Sequence, residues 1–157
     1  MKFDDRHDTA RSYIACFSIL RDGNNVAMVL RKNTGWMDGH WGLPAGKVEW
    51  FEHFTAGAVR EAKEEAGVDV ALADLQFAHV AHRHAENKED GVFMDWVDIY
   101  FEVKKWSGTP FNAEQDKSEE LQWIDLTNLP ENVVPSQRVA LEHIAKGSYY
   151  SEFGWEN

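Results

Sequence analysis

The segment GKVEWFEHFTAGAVREAKEEAGV, residues 46–68, makes two demands that few folds meet together. Its second half repeats small apolar residues at helical spacing, Ala58, Ala62 and Ala66 with Val59 beside them. Gly67 stands where such a helix can end. The spacing predicts a helix within residues 54–68 whose alanine face packs closely on another layer. Gly57 inside it costs about 1 kcal/mol against alanine, which close packing would explain. The second demand is electrostatic: Glu49, Glu52, Glu61, Glu64 and Glu65 crowd together, with Arg60 and Lys63 among them. Glu61, Glu64 and Glu65 have the i, i+3, i+4 spacing of one helix face, expected opposite the alanines. Their repulsion costs stability unless cations sit among them, and hard divalent ions such as Mg²⁺ take oxygen ligands of this kind.

An E-x-x-E-E run alone is more often a solvated helix face. Here its context differs. KNTGWMDGHWGLPAGK, residues 32–47, is dense in glycine, contains Pro44 and reads as a loop. It runs straight toward the acidic helix, and such loops turn backbone groups toward ligands.

The rest of the chain supplies a scaffold. SYIACFSIL (12–20) and VAMVLR (26–31) read as strands joined by the turn signal RDGNN. LQFAHVAHR (75–83), VFMDWVDIYFEVKKW (92–106) and ELQWIDL (120–126) read as further strands, with the polar turn HAENKEDG between the first two. SQRVALEHIAKG (136–147) reads as a second helix, with Val139, Ala140 and Ile144 on one side. Hairpin-like succession with two helices suggests an α/β fold, a mixed sheet sandwiched between helices. At 157 residues one domain is expected, with residues 1–11 as an N-terminal extension and 148–157 as an aromatic tail that docks on the body or on a partner, a second copy included.

A net charge of −11 argues against duplex nucleic acid as a partner, although metal ions or local arginines can reverse the potential at a small anionic site. A single cysteine, Cys16, excludes an internal disulfide and fits a reducing compartment. The longest apolar run, YIACFSIL, is too short to span a bilayer, so no membrane association is expected and the cytoplasm is the expected location.

Residues 46–68 resemble the Nudix box: Gly, five residues, Glu, seven residues, Arg-Glu, an aliphatic residue, any residue, Glu-Glu, any residue, Gly, aliphatic. Gly46, Glu52, Arg60, Glu61, Ala62, Glu64, Glu65, Gly67 and Val68 fill these positions, alanine being a small variant of the first aliphatic. WGLPAGKVE resembles the family's lead-in, and the resemblance extends over most of the chain, from Ser12 to Ala145. It implies a Nudix-type α/β/α sandwich and a hydrolase of a nucleoside diphosphate linked to another group, in which water attacks phosphorus with Mg²⁺ or Mn²⁺ assisting. Glu61, Glu64 and Glu65 are then the metal ligands. Arg60 is expected to orient the loop by pairing with Glu52 rather than to touch substrate. The residue before the box glycine, Ala45 here, offers a backbone carbonyl to metal, and a positive φ there would be strained. WSGTPFNAEQDKSEELQW is similar to a stretch that supplies another acidic ligand in small triphosphate-cleaving members. It points to Glu114, with Glu119 and Glu120 as rivals.

Substrate contacts are expected from Arg31 as a phosphate clamp, from Trp36 and Trp41 as base-stacking surfaces, and from Asp95, Asp98 and Asn132 at the base. Each has a plainer reading, as surface, core or strand residue. His79, His82 and His84 read as ordinary strand and turn histidines, since only His82 and His84 share a strand face. The other tryptophans read mostly as core. Family signatures for ADP-ribose, dinucleoside polyphosphate, NADH and coenzyme A substrates are missing; Arg83 stands where ADP-ribose cleavers tend to have proline. The remaining expectation is a MutT-like enzyme cleaving a nucleoside triphosphate to monophosphate and pyrophosphate. Hydrolysis of a nucleotide sugar or other diphosphate conjugate competes with it, and a non-catalytic nucleotide-sensing module more weakly, since such modules usually lose box carboxylates.

Overall fold

The computed structural model describes residues 10–86 and 91–156. The N-terminal extension up to residue 9 and the middle of the HAENKEDG turn lie outside the described residues.

The apolar run near the N-terminus becomes β1 (Ser12–Asp22), and its inner positions are buried on both faces. Unbroken apolarity of this kind suits an interior strand covered from both sides. Gly23, at φ 60°, turns the chain into β2 (Asn25–Arg31). The glycine-rich loop contains two short strands that its composition conceals, β3 (Trp41–Gly42) and β4 (Ala45–Lys47). The first helix, α1, spans Phe54–Ala66 and closes on Gly67 at φ 70°, whose N–H bonds the Lys63 carbonyl. There follow β5 (Leu75–Glu86), β6 (Phe93–Val103), β7 (Ser118–Asp125), α2 (Pro135–Ala145) and β8 (Tyr150–Phe153).

The sheet is mixed. β1 pairs in parallel with β6 from Ser12 opposite Asp95 to Leu20 opposite Val103, and antiparallel with β4 and with the start of β2. β5 runs antiparallel to β6 and parallel to β8, while β2 carries β3 and β7 on its two edges. The alanine face of α1 covers one side: Ala62 and Ala66 pack with Leu20, Ala27, Val68 and Val103, and Ala58 packs with Cys16, Ile99 and Phe101. Ser18 Oγ donates to the Ala58 carbonyl at 2.9 Å and pins the helix there. A Cβ at Gly57 would press on the Glu52 carboxylate, which Arg60 holds in place, and this favours glycine inside the helix. On the opposite side Phe17, Met28, Trp41, Tyr100 and Val133 form the main core with Ala140 and Leu141 of α2. The result is the expected α/β/α sandwich.

The structure decides the open alternative for the tail and overturns one expectation, that of mostly buried tryptophans. The aromatic tail docks on its own chain as β8, held where buried His79 bridges the Ser148 carbonyl and Ser151 Oγ at 2.8 and 2.7 Å. His82 and His84 pack on Trp155, with ring centroids 4.5 and 4.6 Å away. The tryptophans are not mostly core: Trp50, Trp123 and Trp155 are 80%, 40% and 40% exposed. Cys16 is fully buried, and burial pushes its thiol up to about 12, so it is unreactive. Among the described residues no helix is long and apolar enough to cross a membrane.

Candidate active site

Two cavities adjoin across β4 and the end of β2, sharing Arg31, Thr34, Ala45, Gly46 and Lys47 in their walls. One, of about 600 Å³, is acidic; Glu61, Glu64, Glu65 and Glu114 line it with Glu49, Arg60 and Lys117. The other, of about 380 Å³, is lined by the aromatic residues Tyr13, Phe17, Trp36 and Trp96.

The acidic cavity is built by α1 and its neighbours. Glu61 lies beside the alanine face rather than opposite it and is 8% exposed. A residue three ahead of Ala58 and one behind Ala62 cannot leave their side of the helix far behind. Glu64 is exposed, and Glu65 lies between the two. The carboxylates line one cavity without meeting as a cage, and among the described residues no three acidic, His or Cys side chains converge on one point. Arg60 occupies the space between them. Its Nη1 donates to Glu61 Oε1 at 2.6 Å and to Glu64 Oε2 at 3.2 Å. Its Nε and Nη2 fork onto Glu52 at 2.7 and 3.1 Å, and Nη2 also reaches the Lys47 carbonyl at 3.0 Å. That fork holds the Glu52 carboxyl below its ordinary range. Glu65 Oε2 accepts the Ala45 N–H at 3.0 Å. Burial pushes the Glu65 carboxyl up to about 8 and raises Glu61 as well.

The donor set fits a hard divalent cation. It offers four carboxylates on one cavity wall and burial that disfavours their unneutralised charge. A Cβ at Gly46 would run into the Glu61 carboxylate, so only glycine leaves room there. Ala45 is a strand residue outside the positive-φ positions, so its backbone carries no left-handed strain.

Glu114 arrives on the loop before β7. That loop is tied to the end of α1 by Phe111 N–H to the Ala66 carbonyl at 3.1 Å and Ala113 N–H to the Glu65 carbonyl at 3.2 Å. Glu114 Oε1 pairs with Lys117 at 2.9 Å. Its rivals Glu119 and Glu120 are exposed on β7, outside the cavity walls. Phe111 packs where a Cβ on Gly67 would stand. Gly67→Ala combines that collision with a left-handed φ. It is expected to cost about 2 kcal/mol in denaturant unfolding, and to lower activity by shifting the Glu114 loop.

Arg31 stands at the junction of the cavities. Its Nε donates to the Trp36 carbonyl at 3.0 Å and its Nη2 to Thr34 Oγ1 at 3.1 Å, with the guanidinium 5.0 Å from the centroid of the Trp36 ring. Asp38 braces the same loop through the Thr34 hydroxyl and the Thr34 and Gly35 amides. Trp36 faces the aromatic cavity.

Four expected substrate contacts lie outside the walls of both cavities. Trp41 is core, 8% exposed, paired to Leu30 and bridged to Val133. Asp98 is fully buried and bound bidentately by Arg83 at 2.6 and 2.9 Å. Asp95 points to the other face of β6 and accepts from His84 Nδ1 at 2.7 Å. Asn132 donates to the Gly39 carbonyl at 2.9 Å and lies outside both cavity walls. The residues that do line the aromatic cavity with Trp36 include Tyr13, Lys47, Arg83, Trp96 and Gln137. One signal for Arg83 existed: a buried aspartate in an apolar strand calls for a cation. Gln137, whose Oε1 accepts the Leu43 N–H at 2.7 Å, announced itself by nothing in the sequence.

The chain is similar to known proteins over most of its length. The NUDIX domain family matches residues 9–144. Nudix hydrolase 8 of Arabidopsis thaliana is 40% identical over 63 residues, 40% of this chain and only 15% of that protein. The uncharacterized Nudix hydrolase YvcI of Bacillus subtilis is 25% identical over 134 residues, 82% of this chain and 77% of that one. Among solved structures, a MutT NUDIX hydrolase from Burkholderia pseudomallei superposes with TM-score 0.74 at 28% identity, covering 84% of this chain and 97% of that one. With a family match across nearly its whole length, this chain belongs to the NUDIX domain family.

Proposed function

We propose that the protein is a Mg²⁺- or Mn²⁺-dependent pyrophosphohydrolase of a nucleoside diphosphate compound, a nucleoside triphosphate cleaved to monophosphate and pyrophosphate. The observation that carries this reading is the adjacency of a carboxylate-lined cavity to an aromatic one, with Arg31 and Lys47 between them. A nucleotide has the same two halves, an anionic diphosphate and a flat apolar ring.

Glu61, Glu64, Glu65 and Glu114 would hold the cations, with the Ala45 carbonyl as a further oxygen. Bound there, a divalent ion supplies positive charge against the phosphate oxygens and acidifies the attacking water. Arg60 keeps Glu52, the Lys47 carbonyl and the α1 carboxylates in register. Arg31 and Lys47, at the junction, steady the phosphates so that water attacks phosphorus from one direction. Trp36 and Trp96 give the base flat surfaces and keep water off it.

The test is a screen of nucleoside triphosphates, nucleotide sugars and other diphosphate conjugates with Mg²⁺, reading pyrophosphate and phosphate separately. Pyrophosphate released from a triphosphate is the expected result. Cleavage confined to nucleotide sugars would replace the substrate, and no Mg²⁺-dependent release from any compound would end the reading.

A further inference from the structure

Resting on that reading, we infer that Arg83, positioned by Asp98, makes the aromatic cavity select the keto bases, which carry a carbonyl oxygen at the position where adenine and cytosine carry an amino group.

Arg83 lies on β5 directly on the cavity wall and is 6% exposed. Its Nε and Nη2 are both committed to Asp98, leaving the Nη1 amino group without a hydrogen-bond partner among the described residues. The guanidinium lies 4.5 Å from the Trp96 ring centroid and 5.7 Å from that of Trp36. A donor held this firmly keeps one direction into the cavity it lines, so a base that displaces water from it must offer an acceptor there. Gln137, 3% exposed, repeats the arrangement from α2. Its Oε1 is taken by the Leu43 N–H, so its Nε2 donors remain on the same wall. The wall's carboxylate, Glu86, is exposed on the cavity margin, and the Ser136 hydroxyl serves in either direction. Donors therefore dominate the interior. Guanine offers two acceptors on one edge, N7 and O6, where adenine sets a donor beside its N7, and cytosine sets a donor where uracil has a carbonyl. An amino group aimed at Arg83 meets donor with donor and strands both.

The wild-type protein tests this without any substitution. With Mg²⁺, kcat/KM for GTP and UTP is expected to exceed that for ATP and CTP by about 10-fold or more. In parallel, GMP and UMP without metal are expected to quench tryptophan fluorescence at lower concentration than AMP and CMP. Arg83→Met alone would leave Asp98 charged and buried, so the informative variant is Arg83→Met with Asp98→Leu, which removes both charges. In it the keto-to-amino ratio is expected to fall toward 1, in turnover and in binding, a change that loosened packing would not aim at one class of base. Equal or reversed preference in the wild type, with Mg²⁺-dependent turnover intact, overturns the inference and leaves the proposed function standing. If no triphosphate is cleaved, the proposed function fails, and the monophosphate ratios still decide the role of Arg83.

Discussion

Glu65→Gln is expected to lower turnover at saturating Mg²⁺ by about 10³-fold, roughly the loss of one well-placed charged group from a metal-assisted site. Glu64→Gln should do nearly as much. The two should part company in stability. Glu65 sits where burial holds its carboxyl up to about 8, against 4.5 for an ordinary glutamate. A carboxyl raised in the folded state favours folding fully below about pH 4.5 and loses that contribution as pH climbs through 8. In metal-free protein at pH 9, glutamine relieves that loss while its carbonyl still accepts the Ala45 N–H, so the melting temperature should rise. Glu64 is exposed, and its replacement should barely move melting. Thermal melts at pH 5 and pH 9 with chelator, beside steady-state kinetics, check both halves. Wild-type rates in both variants would remove the carboxylates from the chemistry.

Arg60→Ala is expected to damage stability and turnover together. One guanidinium satisfies Glu52 twice, Glu61, Glu64 and the Lys47 carbonyl. Removing it strands the mostly buried Glu52 and Glu61 without their cation. The cost should be about 3 kcal/mol in denaturant unfolding. Added Mg²⁺ should restore part of that stability, since a cation can take over Glu61 and Glu64, but Glu52 faces the other side of the fork and stays unpaired. Unchanged melting with lost activity would instead make Arg60 a substrate contact.

The sequence exposed those parts of the fold whose signals are local. The alanine repeat and Gly67 mark α1 because a helix buries what its own spacing presents. The run from Ser12 marks β1 because an interior strand needs apolar residues on both faces. β8 was hidden because SYYSEF alternates poorly; it is a strand because β5 offers it an open edge and His79 offers it hydrogen bonds. Trp41 misled for a related reason: its glycine-rich surroundings read as loop, while pairing with Leu30 and Val133 draws it into the core. The glutamates of the site were legible as a pattern, but not that Arg60 would stand between two of them. Arg83 and Asp98 were each visible, and only register brings them together: Ala81 opposes Asp98 across β5 and β6, which leaves Arg83 one step along the same face.

The parallel pairing of β1 with β6 has a consequence for how the protein is made. Ser12 must wait for Asp95, and Leu20 for Val103, before the central ladder can close. β2 and β4 can pair with β1 as soon as residue 47 is made, but its other edge stays open until β6 is complete. Closure over so long a stretch is slow and leaves that strand open to aggregation.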